Sequence, residues 1–175
     1  MLDVATSFDQ YKFLGNEFLT WLWFVIEKDQ NYFKQLEENF ISLNIGNRLI
    51  LENRLNDAVE TISIKGDDAG LEEGILSLQK GAVVIELNLS FSAGNDNKWQ
   101  FTLKGDTLDI INIKLPTTGA IESKKDVEGF VLEKVFLITK IIKLIDNLFT
   151  QFIRLRISNK WTQEVLPLIK QWIFR

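Results

Sequence analysis

The 175-residue chain contains no cysteine and no histidine. Without cysteine there can be no disulfide, no thiolate nucleophile and no Cys-type zinc site, a composition that suits the reducing cytoplasm, where we expect the protein to reside. Without histidine there is no Ser-His-Asp triad, no imidazole acid/base and no His-liganded metal. An enzyme built on this chain would have to run on carboxylates, lysines, tyrosines or an oxygen-ligated metal. Neither G-x-x-x-x-G-K-[ST] nor G-x-G-x-x-G occurs, so neither nucleotide-binding fingerprint is present and no cofactor is expected. Long hydrophobic runs are missing as well. The strongest, Phe18 to Ile26, is nine residues long and includes Thr20, against the roughly 20 needed to cross a bilayer. Asp3, Asp9 and Glu17 stand where a signal peptide would be basic, so no membrane partner is expected.

What is present reads as a single α+β domain over residues 1–175, long enough to bury a substantial core. Leu14, Phe18, Trp21, Leu22 and Val25 fall on one helical face, which predicts a helix over 16–28 with Asn16 as its N-cap. Trp23, Phe24 and Ile26 make that helix apolar almost all round, so it should be buried on several sides.

From 40 to 115 the period changes to two, predicting an antiparallel β-meander. Its expected parts are a hairpin around "IGN" within 40–53, a strand over 58–66, and a short inserted helix over 70–81 ending at Gly81. A strand over 82–93 follows, with Val83, Ile85, Leu87, Leu89 and Phe91 on one face. Strands over 98–105 and 107–116 complete the series, the first carrying Trp99, Phe101 and Leu103 on one side. A polar connector, 116–126, leads to a long helix over 126–158. Its apolar arc runs through Phe130, Leu137, Ile141, Leu144, Ile145, Leu148, Phe152 and Leu155. A last helix over 160–174 should bend or break at Pro167. The stretch from Phe130 to Ile157, free of proline and glycine and roughly 42 Å long, spans or overhangs a body about 40 Å across. The N-terminal helix and the C-terminal helical pair should pack together on one face of the sheet, with Phe18, Trp21, Trp23, Trp161 and Trp172 in that layer. The apolar arc of the long helix covers about half its cylinder, so either the flanking helices or a second copy must bury the remainder. A homodimer is therefore an expected partner.

Two clusters bear on chemistry. "KGDDAGLEEG" (65–74) gathers four carboxylates between Asp67 and Glu73. It lacks EF-hand spacing and suits the start of a helix, where the macrodipole favours acids, so no metal site is expected. Charge divides unevenly along the chain. Residues 1–123 hold 10 Lys/Arg and 19 Asp/Glu, a net of −9, whereas residues 124–175 hold 10 and 5, a net of +5. On the long helix Lys140, Lys143, Asn147, Gln151 and Arg154 form one polar stripe opposite the apolar arc. Such a stripe suits either a solvated face or a track for phosphates. Arg156 and Lys160 lie close by in sequence and join the three basic stripe residues as candidate contacts to a DNA backbone.

Several segments, in order, are similar to a known family. "FLGNEFLTWLWF" (13–24), "RLILE" (48–52), "LQKGAVVIELNLSF" (78–91), "WQFTLKGDTLDIINIKLP" (99–116), "LIDNLFTQFIRLRISNKW" (144–161) and "IKQWI" (169–173) resemble the recombination-associated RdgC-like proteins, in the branch found in δ-proteobacteria. The first and the fifth are the specific ones. The resemblance places this chain as the C-terminal half of such a protein. It implies a non-enzymatic, sequence-independent association with duplex DNA related to recombination control, since family members are DNA-binding, ring-forming dimers that restrain recombinase filaments. It supplies no base-reading residues. The competing expectation is a protein-interaction or dimerisation module that does not bind DNA. A carboxylate-based enzyme has only the acidic cluster in its favour.

Overall fold

A computed structural model describes residues 13–36, 39–55, 58–65, 68–95, 97–117 and 126–174. Helix α1 (Phe13–Lys28) and the single turn α2 (Asn31–Lys34) lead into strand β1 (Phe40–Leu55), which pairs with β2 (Ala58–Lys65). Helix α3 (Asp68–Gln79) carries the chain back across, and β3 (Val83–Ala93), β4 (Asn97–Lys104) and β5 (Ile110–Lys114) follow one another as a meander. The result is a five-stranded, wholly antiparallel sheet in the order β2-β1-β3-β4-β5. The long helix α4 (Asp126–Arg156), a π-helical turn at Trp161–Val165 and helix α5 (Leu166–Ile173) complete the chain. The expected α+β architecture, with its helices on one face of the sheet, is the one observed.

The expected hairpin around "IGN" is instead one 16-residue strand, β1. Ile45 pairs with Leu89 and Leu49 with Leu87, so Gly46, Asn47 and Arg48 together oppose Asn88 alone. This is a bulge, and glycine is required there because an added Cβ would overlap the Asn88 amide oxygen. Glycine and asparagine mark turns and bulges alike, which is why the pattern read as a turn.

The expected inward face of β3 is also corrected. Ile50 pairs with Glu86 and Leu51 with Val84, leaving Ile85 as an extra residue, its carbonyl accepting the Gly105 amide at 2.8 Å. The pleat changes phase at that point. Val84 is buried and Val83 exposed, while Leu87, Leu89 and Phe91 line the core as expected.

Helix α1 is already helical at Phe13, so Asn16 lies inside it rather than capping it, and its carbonyl accepts the Thr20 hydroxyl at 3.0 Å. Gly15 presses on the loop after β4 so closely that an added Cβ would overlap the Gly105 carbonyl oxygen. Helix α3 ends in a Schellman motif: the Ala82 amide reaches the Ser77 carbonyl (3.0 Å) and Gly81, at φ +90°, reaches that of Leu78 (3.0 Å). Pro167 does not break the last helix. It sits in the first turn of α5, directly after the π-helical turn, whose wider ring relieves the clash a proline makes with the preceding turn.

Phe18, Trp21, Trp23, Trp161 and Trp172 are all buried in the helical layer, as expected. Trp21 lies against Phe18 (6.0 Å between centroids), Phe152 (5.5 Å) and, edge-on, Tyr32 (5.7 Å). Burial raises the Tyr32 phenol above its ordinary value of 10.0. The face of the sheet opposite the core is polar. There the Asn88 amide donates to Thr102 Oγ1 (3.0 Å) and the Phe101 carbonyl (3.1 Å) and accepts from Gln100 (3.1 Å).

Candidate functional site

Helix α4 has no proline, and its one glycine, Gly129, stands near its start. Its 31 residues give a rod of roughly 46 Å. From Leu137 onward its apolar arc enters the core through Leu137, Ile141, Leu144, Ile145, Leu148 and Phe152. The Trp99 indole N–H donates to the Leu137 carbonyl at 3.2 Å, fastening β4 to the helix where it leaves the body. The preceding turns overhang. Val127, Val131, Leu132, Val135 and Phe136 are exposed, Leu132 by 62% and Phe136 by 67%. Lys134 lies over the Phe130 ring, 4.4 Å from its centroid.

The five basic candidates do not form one surface. Lys140, Lys143 and Arg154 share a face, within about 60° of arc and over roughly 21 Å of helix axis. Lys143 and Arg154 are exposed and have no ion-pair partner among the described residues. Lys140 is half-buried, with its ammonium 5.6 Å from the Trp99 ring centroid. Phe136, Thr139, Lys140 and Lys143 line a shallow depression of about 200 Å³. Arg156 falls roughly 200° round the helix from Arg154 and faces α1. Its Nε donates to Glu17 at 2.8 Å and its guanidinium lies 5.4 Å from the Trp161 ring centroid. Arg156 therefore ties α4 to α1 and is committed to the fold. Lys160 is exposed beyond the end of α4, where the Ser158 hydroxyl has already capped the Leu155 carbonyl at 2.7 Å.

Two further concavities flank α5. A groove of about 650 Å³ is lined by Glu27, Leu71, Glu72, Ile75, Leu76, Gln79 and Trp172. The Glu27 carboxylate accepts the indole N–H of Trp23 (2.7 Å) and, with its other oxygen, that of Trp172 (2.8 Å). It thereby joins α1 to α5 across an edge-on Trp23–Trp172 contact of 5.2 Å. A cleft of about 290 Å³ lies between α1 and α5 and is lined by Asn16, Glu17, Thr20, Val83, Trp161, Leu166 and Ile169. The buried Asn16 Oδ1 has no hydrogen-bond partner among the described residues.

Of the acidic cluster, Asp67 lies outside the described residues, and Glu72 and Glu73 are exposed on α3. Among the described residues no three metal-capable side chains converge, and no helix is long and apolar enough to cross a membrane. Sequence reading missed the roles of Trp99 and Glu27, because both depend on contacts between distant segments. Helix length alone leaves both spanning and overhanging open, and the exposure of residues 131–136 decides for the overhang. No protein-family model, curated protein or solved structure matches the chain.

Proposed function

We propose that the protein is a non-enzymatic, sequence-independent DNA-associated protein related to recombination control, with helix α4 as its contact element. The observation that carries this reading is the stripe of Lys140, Lys143 and Arg154, concentrated on one face of α4 in a chain whose net charge is −4. The motif resemblance to the RdgC-like proteins supports it. Contact would be made to phosphates. Three cations spread over about 21 Å can follow a backbone carrying one charge per ~1.7 Å of duplex axis, but cannot read bases. Arg156 drops out of the contact set because Glu17 already holds it, and Lys160 stays as a peripheral contributor. Neutralising three phosphates gives a log–log salt slope of roughly −3 on duplex DNA. Replacing Lys140, Lys143 and Arg154 by glutamine should flatten that slope while leaving thermal stability near wild type. Absence of any retention on duplex DNA at low salt would remove this reading.

A second reading, a protein-interaction module that does not bind DNA, is favoured by a different observation: the exposed apolar residues of the α4 overhang. Contiguous exposed apolar surface on a monomer marks an interaction site more often than chance. Retention on DNA, and its loss in the glutamine variant, separates the two.

A further inference from the structure

The cleft between α1 and α5 has two chemically distinct sides. Val83, Leu166, Ile169 and the Trp161 ring supply an apolar side. Asn16, Glu17 and Thr20 supply a polar one, and at 100° per residue they fall within about 100° of arc on one turn of α1. The volume of about 290 Å³ is far more than one water needs and lies close to the lower end of small-molecule sites. The π-helical turn begins at Trp161 and ends just before Leu166, so it frames the apolar side. Such wide turns are frequent at functional sites.

The polar groups at this cleft are unmatched in both senses. The indoles of Trp23, Trp99 and Trp172 each donate to an acceptor. That of Trp161, a residue 4% exposed, donates to none among the described residues. The Asn16 amide likewise makes no hydrogen bond among them, with its Oδ1 lying against Gly105. Thr20 commits its proton to the Asn16 carbonyl at 3.0 Å and so presents lone pairs. Glu17 takes the Arg156 Nε on one carboxylate oxygen at 2.8 Å, and its other oxygen accepts nothing among the described residues. Buried polar groups are otherwise almost always paired, so the unmatched Trp161 and Asn16 mark a place where a partner belongs.

We infer that this cleft binds a compact, neutral, apolar molecule carrying one hydroxyl group, a small alcohol or phenol. A hydroxyl both donates and accepts. Its lone pairs answer the Trp161 indole or the Asn16 amide, and its proton answers Thr20 or Glu17. The body of the molecule covers the apolar side and displaces water that Val83, Leu166 and Ile169 cannot hydrogen-bond. A charged head group is disfavoured. Glu17 and Arg156, each about a third exposed, already neutralise one another, and an ion would have to shed its hydration against apolar side chains. The inference goes beyond the DNA reading and does not depend on it, since Arg156 and the basic stripe lie on roughly opposite sides of α4.

Two-dimensional NMR of the isotope-labelled chain, titrated with phenol and with toluene, tests it. Phenol should shift the Trp161 indole N–H, identified by its loss in Trp161→Phe, saturably and with a Kd on the order of 1 mM, as suits so few atoms. Toluene has the same shape but no hydroxyl and leaves water more readily, so a merely apolar hollow would prefer it. We expect the reverse, with phenol bound roughly threefold or more tighter. Thr20→Val and Trp161→Phe should each reduce that preference, followed through the backbone amides of 16–20. Val83→Trp fills the cleft from a partly exposed position, and should abolish phenol binding while Tm stays near wild type. No saturable shift by roughly 10 mM phenol, ten times the expected Kd, would overturn the inference. So would toluene bound as tightly as phenol, or a preference for phenol unchanged in both Thr20→Val and Trp161→Phe.

Discussion

At the scale of single residues, the tryptophans that stand out in the sequence are structural, and two of them depend on one carboxylate. Trp21 is 1% exposed among Phe18, Tyr32 and Phe152. Removing its indole creates a cavity between two helices that cannot collapse, so Trp21→Ala should cost about 3–5 kcal/mol. In a domain of this size that lowers Tm by roughly 6–20 °C, a shift that thermal unfolding followed by circular dichroism will register; near-wild-type stability would contradict the placement. Glu27 acts differently. It is exposed, yet it receives both indole N–H groups of the Trp23–Trp172 pair. Glu27→Ala leaves two donors on buried rings dependent on whatever water can reach them. About 1–3 kcal/mol should be lost, with α5 loosening first. Hydrogen exchange showing protection lost across 166–173 before α1 is the expected pattern, and uniform loss would argue against Glu27 as the link.

At the scale of elements, legibility in the sequence followed the kind of signal available. Helix α4 was legible because its apolar period runs unbroken for many turns, and a long periodic segment leaves few alternatives. The strand from Asn97 to Lys104 was legible because Trp99, Phe101 and Leu103 all point one way. Strand β1 was misread as a hairpin, since "IGN" carries the same residues whether the chain turns or bulges, and only the pairing of Ile45 with Leu89 and of Leu49 with Leu87 across the ladder decides between them. The phase change at Ile85 has the same origin. A bulge inverts every side chain beyond it, and no residue type announces it in a run of apolar residues. The bulge gives a test of its own. An added methyl at Gly46 meets an Asn88 side chain held by three hydrogen bonds within the sheet. Gly46→Ala should therefore destabilise by about 1–3 kcal/mol. A double variant with Asn88→Ala should recover part of that loss. If both single variants fold as well as wild type, the bulge does not sit where the pairing puts it.

At the scale of the whole molecule, charge is sorted along the chain. The acidic excess lies within 1–123 and the basic excess within 124–175. The candidate site was partly legible from this division. Lys140, Lys143 and Arg154 share a helix face by spacing alone, whereas the capture of Arg156 by Glu17, 139 residues away, needed the folded chain. The net charge of −4 opposes an approaching phosphate backbone at long range, but salt screens that field over about 8 Å at physiological strength, so a local stripe can still act. The central claim is that α4 contacts DNA through this stripe, and binding to a labelled duplex measured across a salt series tests it most directly. The account predicts binding that is indifferent to sequence and weakens with a log–log slope of roughly −3, flattened when Lys140, Lys143 and Arg154 become glutamine. Failure to bind duplex at about 50 mM salt, where such contacts are strongest, or a slope unchanged in the glutamine variant, would contradict it.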